Sequence, residues 1–129
     1  MSAESPPYTI TDTIIDKISS ISKLLGQITA EDSLNKQPRL RKINRIKSIH
    51  SSLAIENNTL TLSQVTDIIN GKAVIGPYNE ILEVKNAGKA YDLLETLNPY
   101  EKKDLLTAHR TLMEGLTSDA GVFRTCGVG

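Results

Sequence analysis

The two side chains with the clearest chemical potential are a hydroxyl and a carboxylate four residues apart, Ser52 and Glu56. In a helix this spacing rotates the side-chain direction by about 40°, so both would lie on one face. Asn57 follows at once, and asparagine tolerates the left-handed conformation that ends a helix, which predicts Glu56 in the last turn. The negative end of the helix dipole disfavours a carboxylate there by roughly 0.3–1 kcal/mol. We therefore expect Glu56 to have a cationic partner elsewhere.

The remaining residues do not form a recognisable catalytic or metal-binding motif. The sequence contains neither a glycine-rich phosphate loop ending in Gly-Lys-Ser/Thr nor a Gly-x-Ser-x-Gly elbow. His50 and His109 belong to no His-x-x-x-His or Glu-x-x-His pair, so no metal site is predicted. Cys126 has no histidine placed by sequence to activate it as a nucleophile. We therefore predict no catalytic residue and no metal ligand.

The composition argues against several classes of partner. Fifteen basic and fifteen acidic residues give a formal net charge of zero, so no overall potential favours nucleic acid or an anionic membrane. No apolar run approaches the ~20 residues of a membrane span, and the first residues lack the features of a signal peptide. The single cysteine excludes an internal disulfide and fits a reducing compartment. We expect a cytoplasmic protein that binds neither nucleic acid nor a membrane.

Apolar residues recur at steps of three and four, which predicts an all-α chain of five helices. We expect a mobile tail over residues 1–8, followed by an N-terminal helix and a polar linker over 9–37. Thr11 or Asp12 can cap the start of that helix, and Gly26 is predicted near its end.

The second predicted helix covers residues 38–58 and has Pro38 in its first turn. A dense basic face lies between its apolar positions. Such a face is typical either of an anion contact or of a solvated helix surface, and the absence of interleaved aromatic residues favours the second. The basic residues are Arg39, Arg41, Lys42, Arg45 and Lys47.

Three further start signals predict the remaining helices. Thr61 and Gln64 match a capping box that opens a short helix, and Gly71 is placed as its stop. Pro77 opens a longer helix, and residues 98–101 combine a capping asparagine, a proline and a glutamate that open the last one. The apolar residues expected to be buried by the longer helix are Ile81, Leu82, Val84, Ala87, Ala90, Tyr91 and Leu94. The charged residues of that helix expected to face water are Glu80, Glu83 and Lys89.

The character of the sequence changes after the fifth helix. Residues 118–121 predict a turn, and residues 122–126 are typical of the beginning of a β-strand. A lone strand would leave its backbone donors and acceptors unpaired. We therefore expect that the strand continues in a longer protein and that this chain is a truncated portion of it.

Residues 52–57, Ser-Leu-Ala-Ile-Glu-Asn, match the [ST]-x-x-x-E-[GN] inhibitory motif of the Fic family, enzymes that mostly transfer AMP from ATP to protein hydroxyls. Residues 76–90 resemble the next Fic segment, and residues 105–116 look like the helix before the Fic flap. Residues 119–124 are similar to the lead-in to that flap. The resemblance covers residues 38–129 and implies a Fic-like helical bundle that ends in the first strand of a β-hairpin flap.

The resemblance also assigns regions and site residues. It implies an inhibitory helix over 38–58 and the N-terminal part of a Fic domain over 59–129, with Phe123 and Arg124 in the flap lead-in. The family's catalytic motif, HPFxxGNGR, does not occur in the sequence. His50 and His109 are followed by other residues, so neither inherits the role of the catalytic base, and this chain alone is predicted to be inactive.

The implied inhibitory residues are Ser52, Glu56 and Asn57. In the family, the inhibitory glutamate pairs with the last arginine of the catalytic motif and occupies the place of the ATP γ-phosphate. The complete enzyme is expected to use ATP and magnesium. The expected partner is the missing Fic catalytic core, in cis or, if the chain is a stand-alone regulator, in trans. The target protein, the transferred group and the formation of a homodimer stay open.

Overall fold

The computed structural model describes residues 7–31 and 37–127 of the chain. Five α-helices and one short 3₁₀ helix, Leu94–Thr96, account for the regular structure of these residues, which confirms the all-helical prediction. The α-helices are α1 (Asp12–Glu31), α2 (Pro38–Ile55), α3 (Leu62–Ile69), α4 (Tyr78–Leu93) and α5 (Lys102–Met113). The chain divides into two compact units, residues 1–41 and 42–129, and the division falls within α2.

Helix α1 belongs to the first unit and begins as its sequence predicts. The Ile14 N–H donates a hydrogen bond of 3.3 Å to Thr11 Oγ1, so Thr11 acts as the cap. The predicted end at Gly26 is wrong, because the helix continues to Glu31. A glycine within a helix costs only about 1 kcal/mol relative to alanine, which is too little to stop one. Most of the predicted tail and the linker residues 32–36 lie outside the described residues.

The core of the second unit is built from α2, α3 and α4. Their apolar periodicities converge on one cluster, joined by a leucine from the loop between α2 and α3. Burying an aliphatic side chain of this size contributes roughly 1.5–3 kcal/mol, so the cluster holds the three helices together. The buried apolar residues are Ile46, Ile49, Leu60, Val65, Ile68, Val84 and Ala87.

Helix α5 packs against α4 but buries less than its sequence predicts. None of its residues is fully buried, and Leu105 remains 59% exposed. The helix also begins later than expected, because Asn98 Oδ1 accepts a hydrogen bond from the Tyr100 N–H in a local turn instead of capping the helix. Leu94, which was expected in the core, is 61% exposed.

The segment after α5 turns back but forms no strand within the described residues. The Gly121 N–H donates to His109 Nδ1 at 2.9 Å, which fixes the turn at residues 118–121. Residues 122–126 adopt bends rather than the predicted β conformation. No other extended segment of the described chain pairs with them, and a strand requires such a partner to satisfy its backbone. The predicted first flap strand is therefore absent from residues 122–127, the last that the structure describes.

Candidate functional site

The C-terminal end of α2 positions Glu56 through a well-defined backbone motif. Asn57 has a φ of 69°, the left-handed conformation predicted for it. Its N–H donates to Ala54 O at 3.1 Å, and the Asn58 N–H donates to Leu53 O at 3.0 Å. This pair of bonds is the Schellman motif, which satisfies carbonyls that a helix end leaves free. Glu56 is thereby held as the first residue after α2, just beyond the last turn in which it was predicted.

The side chain of Glu56 points into solvent. Glu56 and Ser52 are both exposed, and the Glu56 carboxylate makes no hydrogen bond or ion pair with any described residue. The cationic partner expected from its sequence position is therefore not found within residues 7–31 and 37–127. Chemically, the site offers a carboxylate at the negative end of a helix dipole, and such a group is suited to a guanidinium that can donate two parallel hydrogen bonds.

Asn58 ties this helix end to the beginning of α4. Its side-chain Nδ2 donates to Glu80 O at 3.1 Å and to Glu83 Oε2 at 2.8 Å. Its Oδ1 accepts a hydrogen bond of 3.1 Å from the Leu60 N–H. Only 9% of Asn58 is exposed, so this amide is a buried polar group whose bonding capacity is well used.

Thr59 adds a second connection to α4. Its backbone N–H and its hydroxyl both donate to Glu80 Oε2, each at 2.8 Å. The prediction that Glu80 and Glu83 face water is thus wrong, because both are half-buried acceptors. We call Asn58, Thr59, Glu80 and Glu83 the α2–α4 clasp.

Sequence reasoning missed the clasp because its partners lie more than twenty residues apart. One local signal was available. Asparagine often binds the backbone two residues further on, and Asn58 lies between a helix end and the Thr61 capping box. That signal predicts the bond to Leu60, but it contains no information about the carboxylates of α4.

The basic face of α2 is partly structural. Arg45 Nη2 donates to Asp92 Oδ1 at 2.6 Å and to Gly88 O at 2.7 Å, and the guanidinium lies 5.5 Å from the centre of the Tyr91 ring. The other basic residues predicted on this face are exposed. One of the five thus connects α2 to α4, and the other four form a solvated surface.

The remaining predicted residues do not join the Glu56 site. Phe123 and Arg124 lie exposed in the bends after α5, and the Phe123 ring centre is 4.8 Å from Lys102 Nζ. Cys126 is an exposed free thiol. Among the described residues, no group of three histidine, cysteine, aspartate or glutamate side chains could hold a metal ion. None of the described helices combines the length and the apolar character needed to cross a membrane.

Comparison with known proteins identifies a relative among the solved structures. No protein-family model and no curated protein matches the chain. The chain is similar to a solved Fic family protein from Desulfovibrio desulfuricans G20, with 47% sequence identity and a TM-score of 0.89. The match covers 94% of this chain and 37% of that chain, so this chain spans little more than a third of the length of its relative. With nearly half of the aligned residues identical and the same backbone, the chain belongs to the Fic family.

Proposed function

We propose that this chain carries the inhibitory helix of a Fic-type protein adenylyltransferase. In this role α2 is the inhibitory helix, and Glu56 blocks the site of the ATP γ-phosphate. The observation that carries the proposal is the state of Glu56: its carboxylate is exposed, makes no bond to a described residue, and follows a helix end that is fixed by the Schellman motif. Ser52 is exposed one turn earlier and would contribute to the same face.

The electrostatics of such an inhibitory contact between a carboxylate and an arginine are reasonable. An arginine that grips a phosphate presents the same fork of donors to a carboxylate. Breaking a buried pair of this kind costs about 3–5 kcal/mol, whereas a tenfold change in occupancy requires only about 1.4 kcal/mol. Glu56 would therefore compete effectively with a phosphate and still be displaced when the equilibrium shifts by a few kcal/mol.

The arginine and the catalytic machinery have to come from a Fic core with the HPFxxGNGR motif, which the 129 residues do not contain. We propose that the core lies in cis, encoded beyond Gly129, and that the complete enzyme transfers AMP with ATP and magnesium. A separate regulator that supplies α2 in trans is the second candidate, since the exposed carboxylate of Glu56 is equally open to a core on another chain. Reading the coding DNA beyond Gly129 separates the two.

The test measures transfer from labelled ATP by a Fic core that carries the HPFxxGNGR motif, joined to this chain or mixed with it. We expect Glu56→Ala to raise transfer at least tenfold, which corresponds to about 1.4 kcal/mol of lost inhibition. Glu95→Ala removes another exposed glutamate and serves as the matched control. Equal transfer by the wild type and Glu56→Ala would contradict the proposal. Labelled product from the 129 residues alone would contradict the assignment of catalysis to the core.

A further inference from the structure

The residues directly after Glu56 are held more firmly than the end of a helix requires. The Schellman motif alone satisfies the free carbonyls of α2, yet Asn58 and Thr59 make four additional side-chain or backbone bonds to α4. Three of these bonds end on carboxylate oxygens, and bonds to ionised acceptors are about twice as strong as neutral ones.

We propose that Asn58 is a positioning residue for Glu56, and that the α2–α4 clasp makes inhibition depend on the position of α4. This inference rests on the proposed function, since it assumes that Glu56 is the blocking group. Asn58 acts only through Glu56, because its own side chain is buried against α4 and does not reach solvent.

The geometry explains how two residues can transmit position. Asn57 has the left-handed φ of 69°, a conformation with little freedom for a non-glycine residue. Asn58 is bonded on one side to Leu53 O and on the other to Glu80 O and Glu83 Oε2. The backbone of Glu56 is thus bracketed between the last turn of α2 and the first turns of α4. A displacement of α4 would move the carboxylate with it.

Small displacements are sufficient to matter for such a site. A misplacement of about 1 Å in a positioned group can cost about a hundredfold in effect. Glu80 and Glu83 are three residues apart on one face of α4, so a small rotation of this helix would loosen the bonds that both carboxylates accept. A displacement of the first turn of α4 would therefore weaken inhibition by Glu56 without any direct contact with Glu56.

The alternative is that the clasp only stabilises the second unit, and the two roles give different kinetics. A positioning role predicts that Asn58→Ala lowers the apparent KM for ATP of the inhibited core and leaves kcat unchanged. A purely structural role predicts lower kcat or lost protein, with no gain in ATP binding. We expect a fall in KM of about tenfold, the effect of losing a hydrogen bond to a charged group.

The experiment uses the chain together with a Fic core. It compares three variants: Asn58→Ala, Thr59→Val, and a double variant that carries both Glu56→Ala and Asn58→Ala. The double variant should match Glu56→Ala alone, because Asn58 acts through Glu56. Asn79→Ala, an exposed asparagine in the first turn of α4, is the matched control and should not change transfer. Glu83→Gln retains a neutral acceptor for Asn58 and should release inhibition less than Glu83→Leu, which removes the acceptor.

The outcomes separate this inference from the proposed function. If Glu56→Ala leaves transfer unchanged, the proposed function is wrong. If Glu56→Ala activates but Asn58→Ala and Thr59→Val do not, the positioning role is overturned. Should Asn58→Ala fail to fold, Thr59→Val and Glu83→Leu decide in its place. Hydrogen exchange of the backbone amides gives an independent measurement. The Asn58 amide should exchange faster in Thr59→Val than in the wild type, while the amide of Val84 in the core should exchange at an unchanged rate. Equal acceleration at both amides would contradict a local clasp.

Discussion

At the scale of single residues, the backbone conformation explains why an asparagine fits the position after Glu56. Asn57 follows Glu56 with a φ of 69°, and among the described residues it is the one non-glycine with a positive φ. Glycine adopts this conformation without steric cost, and asparagine is the side chain that tolerates it next best. The residue type at position 57 is therefore restricted by the backbone conformation, while the charged group is supplied by the preceding residue, Glu56.

A pair of substitutions at this position tests the conformational argument. We expect Asn57→Gly to leave the free energy of unfolding nearly unchanged, and Asn57→Val to lower it by about 1–2 kcal/mol, the cost of the left-handed conformation for a residue with a branched Cβ. Urea titration followed by circular dichroism measures both values. If the two variants unfold at the same urea concentration, the left-handed conformation of Asn57 does not limit stability.

At the scale of helices, α3 shows how a short element is defined by its ends. It has eight residues, too few for a stable isolated helix in water. The Gln64 N–H donates to Thr61 Oγ1 at 3.2 Å, and the Thr61 N–H donates to Gln64 Oε1 at 2.9 Å, which completes the predicted capping box. At the other end Gly71, with a φ of 79°, allows the Lys72 N–H to donate to Asp67 O at 2.8 Å. The two caps and the burial of Val65 and Ile68 hold the helix in place.

Removing the N-terminal cap gives a direct test. Thr61→Ala should lower the free energy of unfolding by about 1 kcal/mol, since it deletes the acceptor for the Gln64 amide. Ser63→Ala, which truncates an exposed hydroxyl within the same helix, is the control and should change stability by less than about 0.5 kcal/mol. Both are measured by urea titration. A Thr61→Ala protein as stable as the control would show that packing alone maintains α3.

The helices themselves could be predicted from the sequence because their signals are local. Apolar spacing, Pro38, the Thr61 capping box and Gly71 each act within a few residues, and all of them are confirmed by the structure. Glu56 and Asn57 were found for the same reason, since a helix end with a carboxylate and a left-handed asparagine is a local pattern.

The errors about the polar residues of α4 come from contacts that no local pattern encodes. Glu80 and Glu83 look like solvent-facing charges until Asn58 and Thr59 approach from another part of the chain. Asn86 lies on α4 with no exposed surface, although periodicity assigns buried positions to apolar residues only. Buried polar groups need hydrogen-bond partners, and those partners were more than twenty residues away in each case.

At the scale of the molecule, α4 is the element on which the second unit depends. It contacts α3 and α5, receives the α2–α4 clasp at its beginning and binds Arg45 near its end. Asn86, in its middle, has Nδ2 donating to Leu112 O at 3.1 Å and to Glu114 O at 2.8 Å, and so satisfies carbonyls at the end of α5. On the proposal that Glu56 is the blocking group and that the clasp positions it, the rigidity of α4 would contribute to inhibition.

Asn86→Asp tests this dependence with almost no change in shape. The substitution replaces a donor by a carboxylate that faces two carbonyl oxygens and has no exposed surface, so we expect it to lower the free energy of unfolding by about 3–5 kcal/mol. Asn79→Asp makes the same chemical change in the exposed first turn of α4, where a negative charge is favoured by about 0.3–1 kcal/mol. Urea titration of both variants compares the sites. Equal stabilities would mean that the Asn86 amide does not connect α4 to α5, whereas a large loss confined to Asn86→Asp would identify this amide as the bond on which the packing of the second unit depends.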